Sequence, residues 1–560
     1  MSAVFARLGA GRAEAASPSF FGEPMNEDMS AAAQAVRDYH RRSKHHLDRY
    51  AAGPGFMDWD TQPEPFRSWE GAEQTPLPLS GDGVATPYAD LFRPAAVAAA
   101  PLDLDGLGAL LQLSFGLSAW KQSGTDRWAL RCNPSSGNLH PTEVYLAAAG
   151  VPRLADGVYH YNSYGHVLER RCAASLSGSG VLLGLSSVHW REAWKYGERA
   201  FRYCQHDVGH ALAALRYAAA ALGWRVRLLD HWSDDEIAAL LGLDRDEDFA
   251  GAEKEFPDLL CGIEPGEASG FETAPAAWVE AVRAGRWQGR ANRLSSRHSH
   301  HWPAIDVVAL AAAKPRTPLQ PRRTPANQPL LPISCEERAA DIIRQRRSAQ
   351  SFDGVTSITA KSLFRLLDAA LPRAKAPPFD CWPWTPRLHL VLFVHRVVGL
   401  APGLYVSCRT AGAVSLLRHA FKPGLEWAPV EEAPARLRLY RLARADARKA
   451  ARTLSCHQDI AADSAFSLGM LAEFDAALDE GPWAYRRLFW ESGLIGQALY
   501  LEAEAAGVRG TGIGCFFDDA LHETLGIAGT ALQSLYHFTV GAPLIDERLR
   551  TRPPYEHLQR

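Results

Sequence analysis

Four short stretches of this chain carry side chains whose types and spacing suit chemistry on a flat, anionic ligand. Residues 131–145 read RCNPSSGNLHPTEVY. Pro134 and Pro141 hold a turn there, and Gly137 lets the backbone approach a ligand closely. Ser135, Ser136 and Asn138 supply hydrogen-bonding groups, with Arg131 just ahead of them. Residues 344–352, RQRRSAQSF, end a candidate helix in donors, and Arg346, Arg347 and Ser348 suit a phosphate. Residues 510–516, GTGIGCF, alternate glycines, so Gly512, Ile513 and Gly514 offer bare backbone beside a flat ring. Arg550 and Arg552, in the C-terminal RLRTRPPY, are further phosphate candidates. Singly, each stretch also reads as a plain loop, a solvated helix end, a sharp turn or a charged tail. No metal site is expected. His298–His301 (HSHH) has no carboxylate or cysteine nearby in sequence, and Cys456-His457 are adjacent residues that seldom face each other.

The elements that must position these groups mix helices with a modest sheet, an α+β pattern. Helices are predicted over 102–117, 207–222 with Gly223 as stop, 234–241 with Ser233 as N-cap, 336–347, 363–370, 464–478 and 489–507. Strands are predicted over 143–151, 158–168 with a turn at 162–165, 224–229, 388–398 and 535–540. Residues 1–88 form an N-terminal extension, mobile to about residue 35 and extended over Gly53–Pro87. A first domain spans 89–265, a Pro-rich linker 266–334 and a second domain 335–560.

Those two domains repeat one pattern. Gly209 falls on Gly493, and 493 − 209 = 284. The same offset places Gly223 on Gly507, Asp234-Asp235 on Asp518-Asp519 and Gly242 on Gly526, without a gap. Such a repeat implies a duplicated domain, able to pair with itself as an intramolecular pseudo-dimer with a site at the shared interface.

The composition is that of a soluble globular protein of 560 residues, 47% hydrophobic and 22% charged, with a formal net charge of −3. No basic block suggests nucleic acid, and no apolar stretch is long enough to span a membrane. The nine cysteines are scattered and odd in number, as reduced thiols in a cytoplasmic enzyme would be.

Together, the RRS segment, the PSSGN loop, the glycine-alternating strand and the closing LYHFTVGAP resemble the FMN-dependent nitroreductase-like fold, and the resemblance covers both halves. KYGERAFRYCQHDVGH (195–210) and HPTEVY are similar to the SagB/ThcOx branch, the azoline dehydrogenases, in which a Lys-Tyr pair is the catalytic feature. The resemblance implies two tandem nitroreductase-like domains and FMN as cofactor. It further implies Lys195 and Tyr196 as catalytic residues and a thiazoline or oxazoline in a peptide, or a related small heterocycle, as substrate. A cyclodehydratase partner is left open. The copies have diverged in complementary ways: the first has Val226–Trp232 where the second has GTGIGCF, and the second has Pro378–His389 where the first has PSSGN. Lys195 and Tyr196 fall on Asp479 and Glu480. One composite FMN site is therefore expected. Its first-half ligands would be Arg131, Pro134, Ser135, Ser136, Gly137 and Asn138; its second-half ligands Arg346, Arg347, Ser348, Gly512, Ile513, Gly514 and the two tail arginines. Gln350 departs from the family, where a second basic residue is usual. Two alternatives remain: an NAD(P)H-dependent nitro or quinone reductase, and a flavin-free binding or scaffold protein of a peptide-modifying complex.

Overall fold

The computed structural model describes residues 24–266, 275–319, 325, 328–333 and 335–558. Two antiparallel sheets are built with one topology. In the first half, β1 (Thr142–Ala149), β2 (Gly157–Asn162), β3 (Val167–Ala173), β4 (Gly180–Ser187), β5 (Trp224–Leu228) and β6 (Phe256–Pro265) lie in the order β3-β2-β1-β4-β6-β5. In the second half, β7 (Leu388–Val394), β8 (Gly403–Ser407), β9 (Leu439–Arg444), β10 (Phe466–Glu473), β11 (Arg509–Ile513) and β12 (Leu532–Gly541) lie in the order β9-β8-β7-β10-β12-β11. Element for element, the second order is the first.

Each sheet is buried on both faces. Along β1, Val144, Leu146 and Ala148 enter a core shared by both halves, while Tyr145, Ala147 and Ala149 enter a smaller outer core. Along β7, Leu390, Leu392 and Val394 face the shared core, and Val391 and Phe393 the outer one. A strand apolar on both faces loses its period-two signature and cannot be told from a buried helix by pattern alone. This accounts for one correction: residues 466–473, predicted as helix, are the central strand β10, followed only by the short helix Phe474–Leu478. Strands β4 and β6 went unread for the same reason.

Two 22-residue helices, α1 (Ala200–Ala221) and α2 (Ala484–Ala505), cross at the centre. Gly209 and Gly493 sit at the crossing. A Cβ on Gly209 would lie 2.2 Å from the Trp490 carbonyl oxygen, and one on Gly493 2.4 Å from that of His206. Since 206 + 284 = 490, each half makes the other's contact. The same holds for Arg202, which donates to Asp518 at 2.6 Å, and Arg486, which donates to Asp234 at 2.8 Å. Such reciprocity is the mark of a two-fold relation. The matched glycines also share backbone angles, with φ of 68° and 72° at Gly223 and Gly507, and 74° and 73° at Gly242 and Gly526.

Flanking segments tie the halves together. A helix over Pro24–Arg42 overlaps the lead expected to be mobile; the rest of that lead lies outside the described residues. From its C-terminal end, Tyr39 donates to the Glu198 carbonyl (2.7 Å), while His40 meets Tyr485 (3.2 Å) and Gln533 (3.1 Å) of the other half. Residues 275–312, expected within a linker, instead contribute helices Pro275–Arg283 and Pro303–Ala311, and a strand, Arg286–Trp287, added to β3. Residues 320–324, 326–327 and 334 of that linker lie outside the described residues. The C-terminal Arg550–Arg552 crosses back to pair with Leu117–Ser123 of the first half. No helix among the described residues is long and apolar enough to cross a membrane.

Candidate functional site

A cavity of about 510 Å³ opens between the halves, within the range typical of small-molecule and cofactor pockets. The turn from residue 131 to 140, just ahead of β1, supplies its first-half wall. Gly137 has φ +59°, and a Cβ there would meet Tyr196 Oη at 2.5 Å and Lys195 Nζ at 3.2 Å. The loop thus lies directly on the Lys-Tyr pair at the end of the helix His189–Tyr196. Gly137→Ala is expected to lower stability by about 1–2 kcal/mol through left-handed strain, and to displace Tyr196. Chemical denaturation measures the first effect, and an unchanged midpoint would contradict the close approach.

The loop's polar groups are largely occupied by one another. Ser136 donates through its backbone N (3.1 Å) and Oγ (3.0 Å) to the Asp207 carboxylate. Ser135 Oγ accepts from His140 N at 2.8 Å, and Asn138 Nδ2 donates to the Ala129 carbonyl at 2.9 Å. The serines and the asparagine therefore shape the turn. Beside them, two buried polar atoms on cavity-lining residues have no partner among the described residues: Arg131 Nε and Asn133 Oδ1. A buried polar group without a partner is costly, so these atoms suit a polar-edged ligand.

On the second-half wall, Arg346, Arg347 and Ser348 follow the helix Ala339–Gln345. Arg346 is buried and donates to the carbonyls of Arg131 (3.1 Å) and Cys132 (3.2 Å), so its guanidinium docks one half on the other. Arg347 donates to the carbonyls of Arg344 and Ser118, and burial lowers it to about 10. Lys121 and Arg509 also line the cavity. Burial, then the nearby Arg347 and Arg509, depress the Lys121 ammonium below its usual range. A cluster of cations that depress one another is ready for an anion.

The alternate glycines of β11 serve the protein's own rings. A Cβ on Gly512 would fall 1.9 Å from Tyr536 Oη, and one on Gly514 2.2 Å from a ring carbon of Tyr203. Gly512 N donates to Tyr500 Oη (2.8 Å), which also pairs with Ser348 Oγ (2.8 Å). Ile513 is buried between them. The tail arginines are placed otherwise than expected. Strand alternation turns Thr551 to the cavity, whereas Arg550 and Arg552 are exposed and Arg552 pairs with Glu556.

Two carboxyls here were not singled out from sequence. Asp207 lines the cavity from the middle of α1, and burial raises it to about 7 against the pull of Ser135 and Ser136. Glu192 is buried with both oxygens unpartnered, and burial followed by the Asp207 charge holds it well above the carboxylate range. Burial, then Glu192, also pushes the Tyr196 phenol well above its usual value. That surrounding favours the protonated phenol at Tyr196. The sequence signal for Asp207 was an acid inside an Ala- and Leu-rich helix.

The position related to this cavity by the pseudo-two-fold is filled. Trp384, Trp483, Trp490, Arg486 and Arg487 close around voids of about 20 and 10 Å³. Asp230 stands where the other site has Gly514.

No family model matches the chain. A candidate nitroreductase of Methanocaldococcus jannaschii is 26% identical over 177 residues, covering 29% of this chain and 81% of that protein. Among solved structures, a candidate nitroreductase from Anabaena variabilis superposes with a TM-score of 0.64 at 21% identity, covering 91% of this chain and 99% of that one. A chain of the E. coli microcin synthetase McbBCD complex with truncated pro-MccB17 matches with a TM-score of 0.26 at 17% identity, over 43% of this chain and 94% of that one. Over nearly its whole length, then, the chain has the nitroreductase-like α+β fold, laid down as two like halves about one pseudo-two-fold axis.

Proposed function

We propose that the chain is an FMN-dependent oxidoreductase with one cofactor site, formed between the halves. The observation that carries this reading is the cavity itself: both halves close it, cations gather on one wall, and its pseudo-symmetric counterpart is filled by indoles. Arg347, Lys121 and Arg509 would hold the phosphate, and the partnerless atoms of Arg131 and Asn133 would meet the polar edge of the ring system. Bound there, FMN would accept a hydride from the substrate and pass the electron pair to oxygen or another acceptor.

This chain's own residues then have the proton to manage. A dehydrogenation needs a base for the proton on the carbon next to the one that gives up hydride. Asp207, titrating near neutrality, is the group able to take it. Tyr196, kept protonated, donates a hydrogen bond that orients the substrate, with Lys195 beside it. The finer reading is oxidation of a thiazoline or oxazoline ring in a peptide, after ring closure by a cyclodehydratase. It rests on the resemblance of the Lys195-Tyr196 segment.

Flavin released by heating the purified protein is expected at about one FMN per chain. Arg347→Ala is expected to weaken FMN binding at least about tenfold, the scale of one charge-assisted hydrogen bond. Two FMN per chain would sink the single-site reading. None after soaking would favour a flavin-free binding protein, and bleaching of the bound flavin by NAD(P)H would favour the reductase.

A further inference from the structure

The second half carries another cavity, of about 330 Å³, which the proposed function does not use. It forms where residues after the helix Ala360–Ala369, the segment before β7, the turn after β8 and the segment before β9 converge, with Pro325 and Gln328 also on its wall. Arg373, Arg409, Arg436 and Arg438 line it, and no carboxylate does among the described residues.

The arginines are built in rather than draped over a surface. Arg373 is 4% exposed and Arg409 2%. Asp368 accepts from both Arg373 (2.6 Å) and Arg436 (2.7 Å), so one carboxylate serves two guanidiniums. Arg409 donates through Nε to the Ala370 carbonyl (2.7 Å) and through Nη1 to Glu491. Its other terminal nitrogen, Nη2, is buried without a partner. Among the described residues Arg438 Nη1 reaches only the Arg436 carbonyl, at 3.1 Å. Two carboxylates against four guanidiniums leave about two positive charges uncompensated around a cavity, and one buried donor unused.

The first half treats this place differently. There the corresponding position, after the helix Leu104–Ser114 and beside the β2–β3 turn, is plugged by the chain's own C-terminal residues. Tyr555 is buried and its Oη accepts from Leu117 N at 2.9 Å, while His557 stacks on Tyr164 with ring centroids 4.4 Å apart. In the second half, the Thr410 hydroxyl and an apolar wall of Trp384 and Pro386 complete the cavity instead.

We infer that the arginine-lined cavity of the second half binds a compact dianion, a phosphate or phosphate monoester, whose apolar body lies against Trp384 and Pro386. Arg373 and Arg436, held by Asp368 and by the carbonyls of Gln328 and Pro329, contribute charge, while Arg409 Nη2 and the Arg438 guanidinium keep donors for the oxygens of a phosphate. This site is separate from the proposed flavin site and does not depend on it.

The test is calorimetric titration of the full chain with inorganic phosphate and with phenyl phosphate. Phenyl phosphate is expected to bind more tightly than inorganic phosphate, because its ring has a wall to rest on. Arg438→Gln is expected to weaken this site for both probes at least tenfold, and Arg438→Lys less, while Arg347→Ala removes only phosphate taken up by the first cavity and leaves the second site's isotherm in place. Arg438 is half-buried and holds only a backbone carbonyl, so its substitution should leave the fold intact, as thermal unfolding would verify. Loss in Arg347→Ala with retention in Arg438→Gln would assign the anion to the first cavity and overturn the proposal. Absence of binding at millimolar probe, or tighter binding of succinate than of phosphate, would also overturn it. Because Arg347→Ala reports on the first cavity alone, failure of the FMN reading would not be mistaken for failure here.

Discussion

Gly493→Leu should yield a chain destabilised by about 3 kcal/mol or more, with the cavity between the halves broken open. At this position even a Cβ would lie 2.4 Å from the His206 carbonyl oxygen, 2.6 Å from His210 N and 2.7 Å from the Gly209 carbonyl carbon. All three are backbone atoms of the opposing helix, so no side chain can swing away to make room. Overpacking of a core costs about 1–3 kcal/mol where neighbours can yield, and more where they cannot. Relief requires α1 and α2 to separate, and the walls of the 510 Å³ cavity ride on those helices. Gly209→Leu should do the same damage, because its Cβ would meet Trp490 backbone atoms at 2.2–2.8 Å. Gly412→Ala, with nothing within 4 Å of the added carbon, is the neutral control. Denaturant midpoints and ligand binding by the three variants measure this. A Gly493→Leu variant as stable as the control would mean that the halves do not cross at these glycines.

That crossing shows how much the sequence could disclose. Glycines 284 residues apart announced the repeat, and they are the residues that let two helices touch at their backbones. Ser233 was legible as a cap because its chemistry is local: its Oγ accepts from Glu236 N at 3.1 Å. Element type failed where the environment was two-sided. Residues 466–473 are apolar and rich in helix formers, and only the pairing of β10 with β7 and β12 makes them a strand. The candidate site was legible as a set of segments, since the PSSGN loop, the RRS segment and the GTGIG strand do meet around one cavity. Individual roles were less so. Arg346 looked like a phosphate ligand, yet its guanidinium is taken by the carbonyls of Arg131 and Cys132. Lys121 and Arg509 lie in separate, unremarkable sequence contexts, and only folding gathers them beside Arg347. Asp207 was hidden by a boundary. The predicted helix began at 207, whereas seven further residues of helix ahead of it place Asp207 in the interior.

Asp207→Asn should separate the two consequences of that burial. Folding raises the carboxyl from 3.8 to about 7, so between those values the folded state holds a proton that the unfolded state has released. Stability from this group is therefore fully present below about pH 4 and is lost as pH rises through about 7. A rise of this size corresponds to up to about 4 kcal/mol at pH 8. The asparagine side chain is nearly isosteric, stays neutral, and can still accept from Ser136 through its amide oxygen. The variant is thus expected to be more stable than the parent at pH 8 and no more stable at pH 4. Its turnover should fall about 10²-fold or more if Asp207 carries the proton, and the inflection near pH 7 in the pH–rate profile should disappear with it. Tyr196, pushed further above its usual range by burial, does not titrate in that window. A variant that loses stability at pH 8 along with activity would make Asp207 an anchor for the 131–140 turn and nothing more. A variant that gains stability and keeps its activity would move the base to Lys195.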